Sequence, residues 1–565
     1  MIVRLRLAFG ILVAAVAVAA AAQPTPGTPG VGAKPFVIYV SHATRTLLAN
    51  DAVDLKTRVN RWRDLLVARG ASYTIVTHPA QLAQVPAGVA LILPSAVVLG
   101  DDEQRLIAQR IEAGDGLLAT WMPASLDANG AAVAPRFVEQ AFKVTARAAA
   151  TGEKGFLITI GDTPLTYALP AGSRLWVGKE GKYSTPLLAT PAAGYLSDWS
   201  RAEDGTGLLA FTTVGASRRA LLGWPEGAWD GTNAEFVKLA QLALDWVEGR
   251  PVAYLRTWPS PWRGAMTLGI DALWRFENVP RIAAAMSKVG LHGSFHFLST
   301  DAKANAAVIR DLLRDGHSLG GFGDAAQPFA GLPEAEQRTR VERMVQEFRA
   351  ALGPGAPVSG LRAPQGATDA ATEKAAAMLD YLVDAGRVDA AVPQFAPDRR
   401  LVVLAAGTNI DSNASLDAIT AGLDAAAKRA QLLGGYAFVG VDVAGYQPGS
   451  PLEAGLQKFV EASQGSPLWS ASAADVARWW REHDQLKVAS AWDAAASTLS
   501  IEVAVGEAMV FPAAIAIVPP PGMKSVRIEP AYAGAELQSG AAGATALVLS
   551  GLPPGSHRLQ LRFAP

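Results

Sequence analysis

Asp271, Asp324 and Asp442 each stand near the end of a stretch that reads as a β-strand. Strand ends are where barrel enzymes place their chemistry, and three carboxylates offer the hard oxygen ligands that suit Ca²⁺ or Mg²⁺. The plainer reading is that they are loop carboxylates, satisfied by Arg362 or by backbone amides. It is preferred, because a metal demands fixed geometry from its ligands. Histidine chemistry must draw on seven residues, His42, His78, His292, His296, His317, His483 and His557. His296 and His317 fall in the same region as the aspartates, and each reads as a structural histidine rather than a ligand. Cysteine is absent, which removes disulfides, thiolate nucleophiles and thiolate metal sites together. No G-x-S-x-G stands in a strand–turn–helix context, so a serine esterase is disfavoured. Trp274 and Trp469 are candidates to line a groove, with core packing as the alternative.

The elements around Asp271 can be read from residues 265–329. Residues 265–270 form an apolar run of strand length. Asn278-Val279-Pro280 opens a helix, with Asn as N-cap and Pro in the first turn. Ile282, Met286 and Val289 keep helical spacing, and Gly290 stops it. A strand at 294–298, a helix at 302–315 and the start of a strand at 317–320 follow. Strand, helix, strand, helix, strand predicts parallel strands with helical crossovers.

With these motifs the stretch resembles the NodB-type polysaccharide deacetylases, metal-dependent hydrolases with a distorted (β/α) barrel. Thr267-Leu268-Gly269-Ile270-Asp271 stands where that family has its Asp-containing opening strand. Gly316-His317-Ser318-Leu319-Gly320 stands for the phrase leading to the family's H-[ST]-x-x-H, and there Phe322 and Ala326 replace the two metal-binding histidines. Arg362-Ala363-Pro364 matches the R-x-P motif, whose arginine orients the catalytic base in the family. Trp469-Ser470-Ala471-Ser472 and the stretch after it look like the closing segment. The resemblance runs over residues 262–486. It implies one Asp and two His on a divalent metal, an Asp base and a late-strand His acid. In a D-x-D reading Gly269 takes the base position and Asp271 survives, and neither Val441 nor Asp442 is His.

The chain in order begins with Arg4 and Arg6, an apolar run and Ala20-Ala21-Ala22, which read as a cleaved signal peptide over residues 1–22. Residues 23–34 are a Pro/Gly linker. Residues 35–250 alternate strand and helix and predict an open, mostly parallel sheet, similar to the amidotransferase-like or flavodoxin-like folds. The amidotransferase nucleophile is a cysteine, and no G-x-G-x-x-G opens a helix after the first strand, so this domain reads as non-catalytic. Its strands at 155–223 are expected as an insertion or a separate β layer. Residues 251–485 form the deacetylase-like domain, starting with an apolar interdomain connection. Residues 486–565 alternate apolar and polar between Pro/Gly turns and predict a small β-sandwich. Trp492 and Tyr532 are its largest exposed-type aromatics besides Phe511 and Phe563, and packing is favoured over sugar binding.

The length of 565 residues calls for two or three domains. Half the residues are hydrophobic and 18% are charged, as in a folded chain, and the formal net charge of −1 gives no support to nucleic acid as a partner. The expected protein is α/β, periplasmic or secreted, with a polysaccharide or oligosaccharide as ligand and envelope polysaccharide-export proteins as candidate partners. It removes acetyl groups from sugars if active; the alternative is an inactive relative that binds glycan or serves assembly. Asp271 and Arg362 are the candidate catalytic pair, and Trp274, Asp324, Asp442 and Trp469 the candidate substrate contacts. No cofactor is expected, and zinc only if His296 or His317 rebuilds a site with Asp324.

Overall fold

The computed structural model describes residues 34–49, 54–147, 155–178, 187–188, 194–197, 203–229, 234–387, 390–539 and 545–565. The expected signal peptide and nearly all of the linker lie outside the described residues.

Phe36–Tyr39, Ala90–Leu93 and Gly116–Thr120 are apolar runs buried along their whole length. Such strands need cover on both faces, which parallel sheets with helical crossovers provide. They line up side by side and parallel, with Tyr73–Val76 at the edge. Trp62 and Leu66 of helix Leu55–Ala68 and Phe236 and Trp246 of helix Ala234–Glu248 fill one face of the sheet. Ile107 and Ile111 of helix Asp101–Glu112 fill the other. The strands of residues 155–222 form neither a separate layer nor a detached insertion. Ser217–Leu222 pairs parallel with Gly116–Thr120, and Glu203–Val214 and its antiparallel neighbours carry the same sheet onward.

The central domain is a curled, parallel half-barrel. Its strands run in the order Val402–Ala405, Tyr381–Asp384, Val358–Arg362, Ser318–Gly323, Ser294–Leu298, Gly264–Asp271, Tyr436–Asp442 and Thr408–Ile410. The short Gln394–Phe395 joins antiparallel at one edge. Helices Val279–Ser287, Ala306–Arg314, Glu334–Leu352 and Leu416–Leu433 supply the outer side of the core through Ile282, Ile309, Val341 and Leu423. Pro280 lies in the first turn of its helix as read, but Asn278 does not cap it. Its amide instead donates to the Val443 carbonyl at 3.1 Å and ties the helix start to the turn that follows strand Tyr436–Asp442.

The C-terminal residues form two four-stranded antiparallel sheets. Leu499, Ile501 and Val503 from one and Ile515, Ile517 and Leu547 from the other share a single core with Val476 and Trp479 of helix Ala473–Gln485. One strand, Val252–Leu255, comes from the stretch expected to be a mere connection. It pairs antiparallel with Ala513–Val518, so the chain contributes to its last sheet before it enters the barrel.

Candidate functional site at the barrel mouth

The first barrel strand sets the geometry. Asp271 ends Gly264–Asp271, in register with His296 on one neighbour and Asp442 on the other. Arg362 ends its own strand three places round from that of Asp271. Curling of the sheet brings the guanidinium across the barrel, and its Nη2 lies 2.9 Å from Asp271 Oδ2. The same Nη2 donates to Asn409 Oδ1 at 2.8 Å. Phe438 lies beneath, with the guanidinium carbon 5.1 Å from its ring centre. The predicted Asp271–Arg362 pair is thus present, with both side chains mostly buried.

Burial raises the Asp271 carboxyl to about 7; Arg362 opposes the shift, and the neighbouring Asp442 adds to it. Asp271 Oδ1 and Arg362 Nη1 are buried without a hydrogen-bond partner among the described residues. His296 is fully buried, and burial first, then Arg362, hold its imidazole far below its usual range. Its Nε2 lies 3.1 Å from the Tyr381 hydroxyl, and its ring sits in contact distance of Phe322, Tyr381 and Phe438. His296 is therefore a neutral core histidine.

Gly269 faces the same interior as Asp271, two residues earlier. A Cβ on it would lie 2.1 Å from the Phe438 ring. That position has no room for a carboxylate, and the arginine that the resemblance assigns to the catalytic base stands on Asp271 instead. Phe322 is buried and Ala326 exposed, and neither side chain can donate to a metal. Among the described residues no three of His, Cys, Asp or Glu gather to hold a metal ion. The residues present do not fit the zinc that the resemblance implies. The rebuilt site considered above is not assembled. His317 stands behind the barrel, bound to Ser287 at 3.1 Å and to the Gly293 amide at 3.1 Å. Burial lowers its pKa to about 4.

The other expected contacts divide. Asp442 is partly exposed, and its carboxylate accepts from the Ala444 amide at 2.8 Å. Trp274 is 60% exposed on the loop after Asp271. Asp324 is clamped by Arg340 at 2.8 Å and Arg343 at 2.9 Å, so helix Glu334–Leu352 consumes it. Trp469 pairs beside Ala265 at the far end of the first strand and packs on Phe511 of the C-terminal sheets. Two mouth loops hold non-glycine residues at positive φ, Arg275 at 57° and Gln365 at 60°. Such strain gathers at functional sites.

Sequence reasoning missed Asn409, Phe438 and Tyr381. Tyr381–Asp384 and Thr408–Ile410 are only four and three residues long, too short to show a period. It also missed a sealed polar cluster in the first domain. Glu226 is fully buried and accepts from Trp62, Ser95 and Thr120, with Arg58 beside it at 3.8 Å. Ser95 follows a strand with φ at 40°. The cluster sits at the carboxyl ends of parallel strands, where ligands bind in open sheets, but every member is closed off from solvent.

Residues 263–383 match the model of the polysaccharide deacetylase family. Among solved structures, the chain is similar to a Mycobacterium smegmatis protein assigned as a polysaccharide deacetylase, with 18% identity and a TM-score of 0.35 over 42% of this chain and 94% of that one. It is similar to a family 4 carbohydrate esterase from Streptomyces lividans, with 18% identity and a TM-score of 0.27 over 37% of this chain and 92% of the other. A CE4-family pseudoenzyme from Bacillus anthracis matches at 14% identity and a TM-score of 0.28, over 38% of this chain and 65% of its own. No curated protein matches. Over residues 263–383 the chain carries a polysaccharide deacetylase domain, and the parts on either side of it are not assigned to any family.

Proposed function

We propose that the central domain is a saccharide-binding unit on a deacetylase frame, acting in the metabolism of an envelope or exported polysaccharide and without metal-dependent hydrolysis. The family implies a polysaccharide ligand. The observation that carries the rest is the donor set. Phe322 and Ala326 stand where the resemblance puts histidines, and Phe438 fills the space at Gly269. A catalytic zinc requires about three protein ligands and an open position for water. What the mouth does offer is suited to sugar hydroxyls: a carboxylate, a guanidinium, the Asn409 amide and the exposed Trp274 ring. Export rests on the amino-terminal signal read from the sequence.

Binding of neutral and N-acetylated oligosaccharides, followed by calorimetry, tests this reading. Trp274→Ala is expected to weaken binding about tenfold with thermal melts unchanged, and Asn409→Ala to weaken it about tenfold with a small loss of stability, because it also removes an acceptor of Arg362. Metal content and acetate release are measured on the same protein, purified without chelators. Stoichiometric zinc with chelator-sensitive acetate release would overturn the proposal.

A second reading has one observation behind it. A carboxyl held at about 7 is matched to general acid–base work near neutral pH. Acetate release that persists in chelator and disappears in Asp271→Asn would favour that reading.

A further inference from the structure

What fills the barrel beneath its mouth decides how a ligand can lie there. Four glycines on the central strands each make room for a large side chain. A Cβ on Gly360 would lie 2.1 Å from the Tyr381 ring, and one on Gly320 would lie 2.5 Å from the His296 ring. Gly269 makes the same room for Phe438. A Cβ on Gly440 would lie 2.6 Å from Arg362 Nη2 and 2.3 Å from Asn409 Oδ1. Phe438, His296 and Tyr381 are all buried. The His296 ring centre lies 6.1 Å from that of Tyr381 and 6.2 Å from that of Phe438, so the three rings form one layer. The Arg362 guanidinium rests on that layer and Asp271 holds it in place. Asp271 Oδ1 and Arg362 Nη1 are shut off from solvent. A ligand group could pass below the ion pair only by displacing it, which would unpair a buried guanidinium.

The groups that solvent does reach lie along the rim. Asn409 and Asp442 belong to the neighbouring strands Thr408–Ile410 and Tyr436–Asp442, and Trp274 follows the next strand, Gly264–Asp271. Neighbouring strands are about 4.8 Å apart, so these three strand ends spread over roughly 10 Å. Asn409 and Trp274 are exposed, and Asp442 is partly so. Asn409 uses its oxygen on Arg362, and Asp442 uses one oxygen on the Ala444 amide. That leaves an amide nitrogen and a carboxylate oxygen for sugar hydroxyls, beside an indole face for a sugar ring. A site tells one small substituent from another by enclosing it. A rim above a filled interior offers separate weak contacts instead, and such contacts add up along an extended ligand.

We propose that the mouth reads the backbone of a linear polysaccharide laid across the strand ends, whether or not its sugars carry acetyl groups. The inference rests on the saccharide-binding reading above and adds to it the mode of binding. The test uses the full chain and two series of β-1,4-linked probes, N-acetylglucosamine oligomers and glucose oligomers, each from dimer to hexamer. In calorimetry, affinity is expected to rise about tenfold or more from dimer to hexamer in both series. At equal length the two series are expected to agree within about threefold. Trp274→Ala and Asn409→Ala should each weaken hexamer binding about tenfold, and to the same extent in both series. Far-UV spectra confirm that the variants are folded. A preference of about tenfold or more for the acetylated probe would place the acetyl group in a recess. That result overturns the inference and leaves saccharide binding standing. Affinity already complete in the dimer does the same, because the ligand would then touch only one point of the rim. No binding in either series overturns the saccharide reading itself, and this inference with it.

Discussion

Asp271 carries two opposed demands. Arg362 draws it towards the ionised form, while burial and Asp442 resist, and the resistance wins. The folded protein therefore holds this proton to about pH 7, whereas the unfolded chain releases it near 3.9. Between those values the native state binds more protons, so its stability falls as pH rises from about 4 to 7 and levels off outside that window. Asp271→Asn lacks the titration. In urea melts, wild type should lose on the order of 2 kcal/mol against that variant between pH 4.5 and 7.5. Equal pH slopes for the two would show that the carboxyl is not perturbed. Asp271→Ala differs because it also removes the contact to Arg362. Truncating a buried ion pair costs about 3–5 kcal/mol. Here Asn409 and Phe438 still hold the guanidinium, so about 2–3 kcal/mol is expected near pH 7. A neutral Asp271→Ala would mean that the two side chains are solvated and apart.

At the scale of the strands, the barrel interior is set by pairs of glycine and ring. Gly269 leaves room for Phe438, and Gly360 leaves room for Tyr381, whose ring would lie 2.1 Å from an added Cβ. Gly269→Ala should destabilise by about 1–3 kcal/mol through overpacking. Phe438→Leu in the same chain should recover part of that loss, because the clash is with a side chain. Additive losses in the double variant, read from denaturant midpoints, would show that the two residues do not share the space. In the first domain the strand ends converge on Glu226. Glu226→Ala removes the acceptor of Trp62, Ser95 and Thr120 at once, and a loss of about 3–5 kcal/mol is expected. A change below about 1 kcal/mol, close to the median for surface pairs, would mean that water reaches the cluster.

At the scale of the molecule, the domains are interleaved rather than strung. Val252–Leu255 joins the C-terminal sheet before the barrel begins. Trp479 of the barrel's last helix is fully buried in the core shared with those sheets, and its indole donates to Thr257. Arg218 of the first domain donates to the Pro519 carbonyl. A chain ending at residue 485 would strip Val252–Leu255 of its partner and bare the shared core. It should melt well below the full chain or aggregate, as differential scanning calorimetry of the two can show. A truncated chain with an unchanged barrel transition would prove the sheets independent.

Local features are legible in the order of the residues. The period of the apolar residues pointed to parallel strands with helical crossovers and to the alternating strands after residue 486. Asp271 and Arg362 were legible because each sits at a fixed offset within a motif. The missing histidines were legible as residue types. Tertiary structure decided what distance in sequence conceals. Asn409 reaches Arg362 only because the sheet curls, and nothing in a three-residue strand announces it. Asp324 and Trp469 looked like mouth residues by sequence position. A helix arginine pair took the first, and parallel register put the second at the opposite end of its neighbour strand. The strand at 252–255 could not be assigned, since its partner lies some 260 residues later. A residue's type and its local period are written in the chain, but the identity of its neighbours is set by the pairing and curvature of strands far apart in sequence.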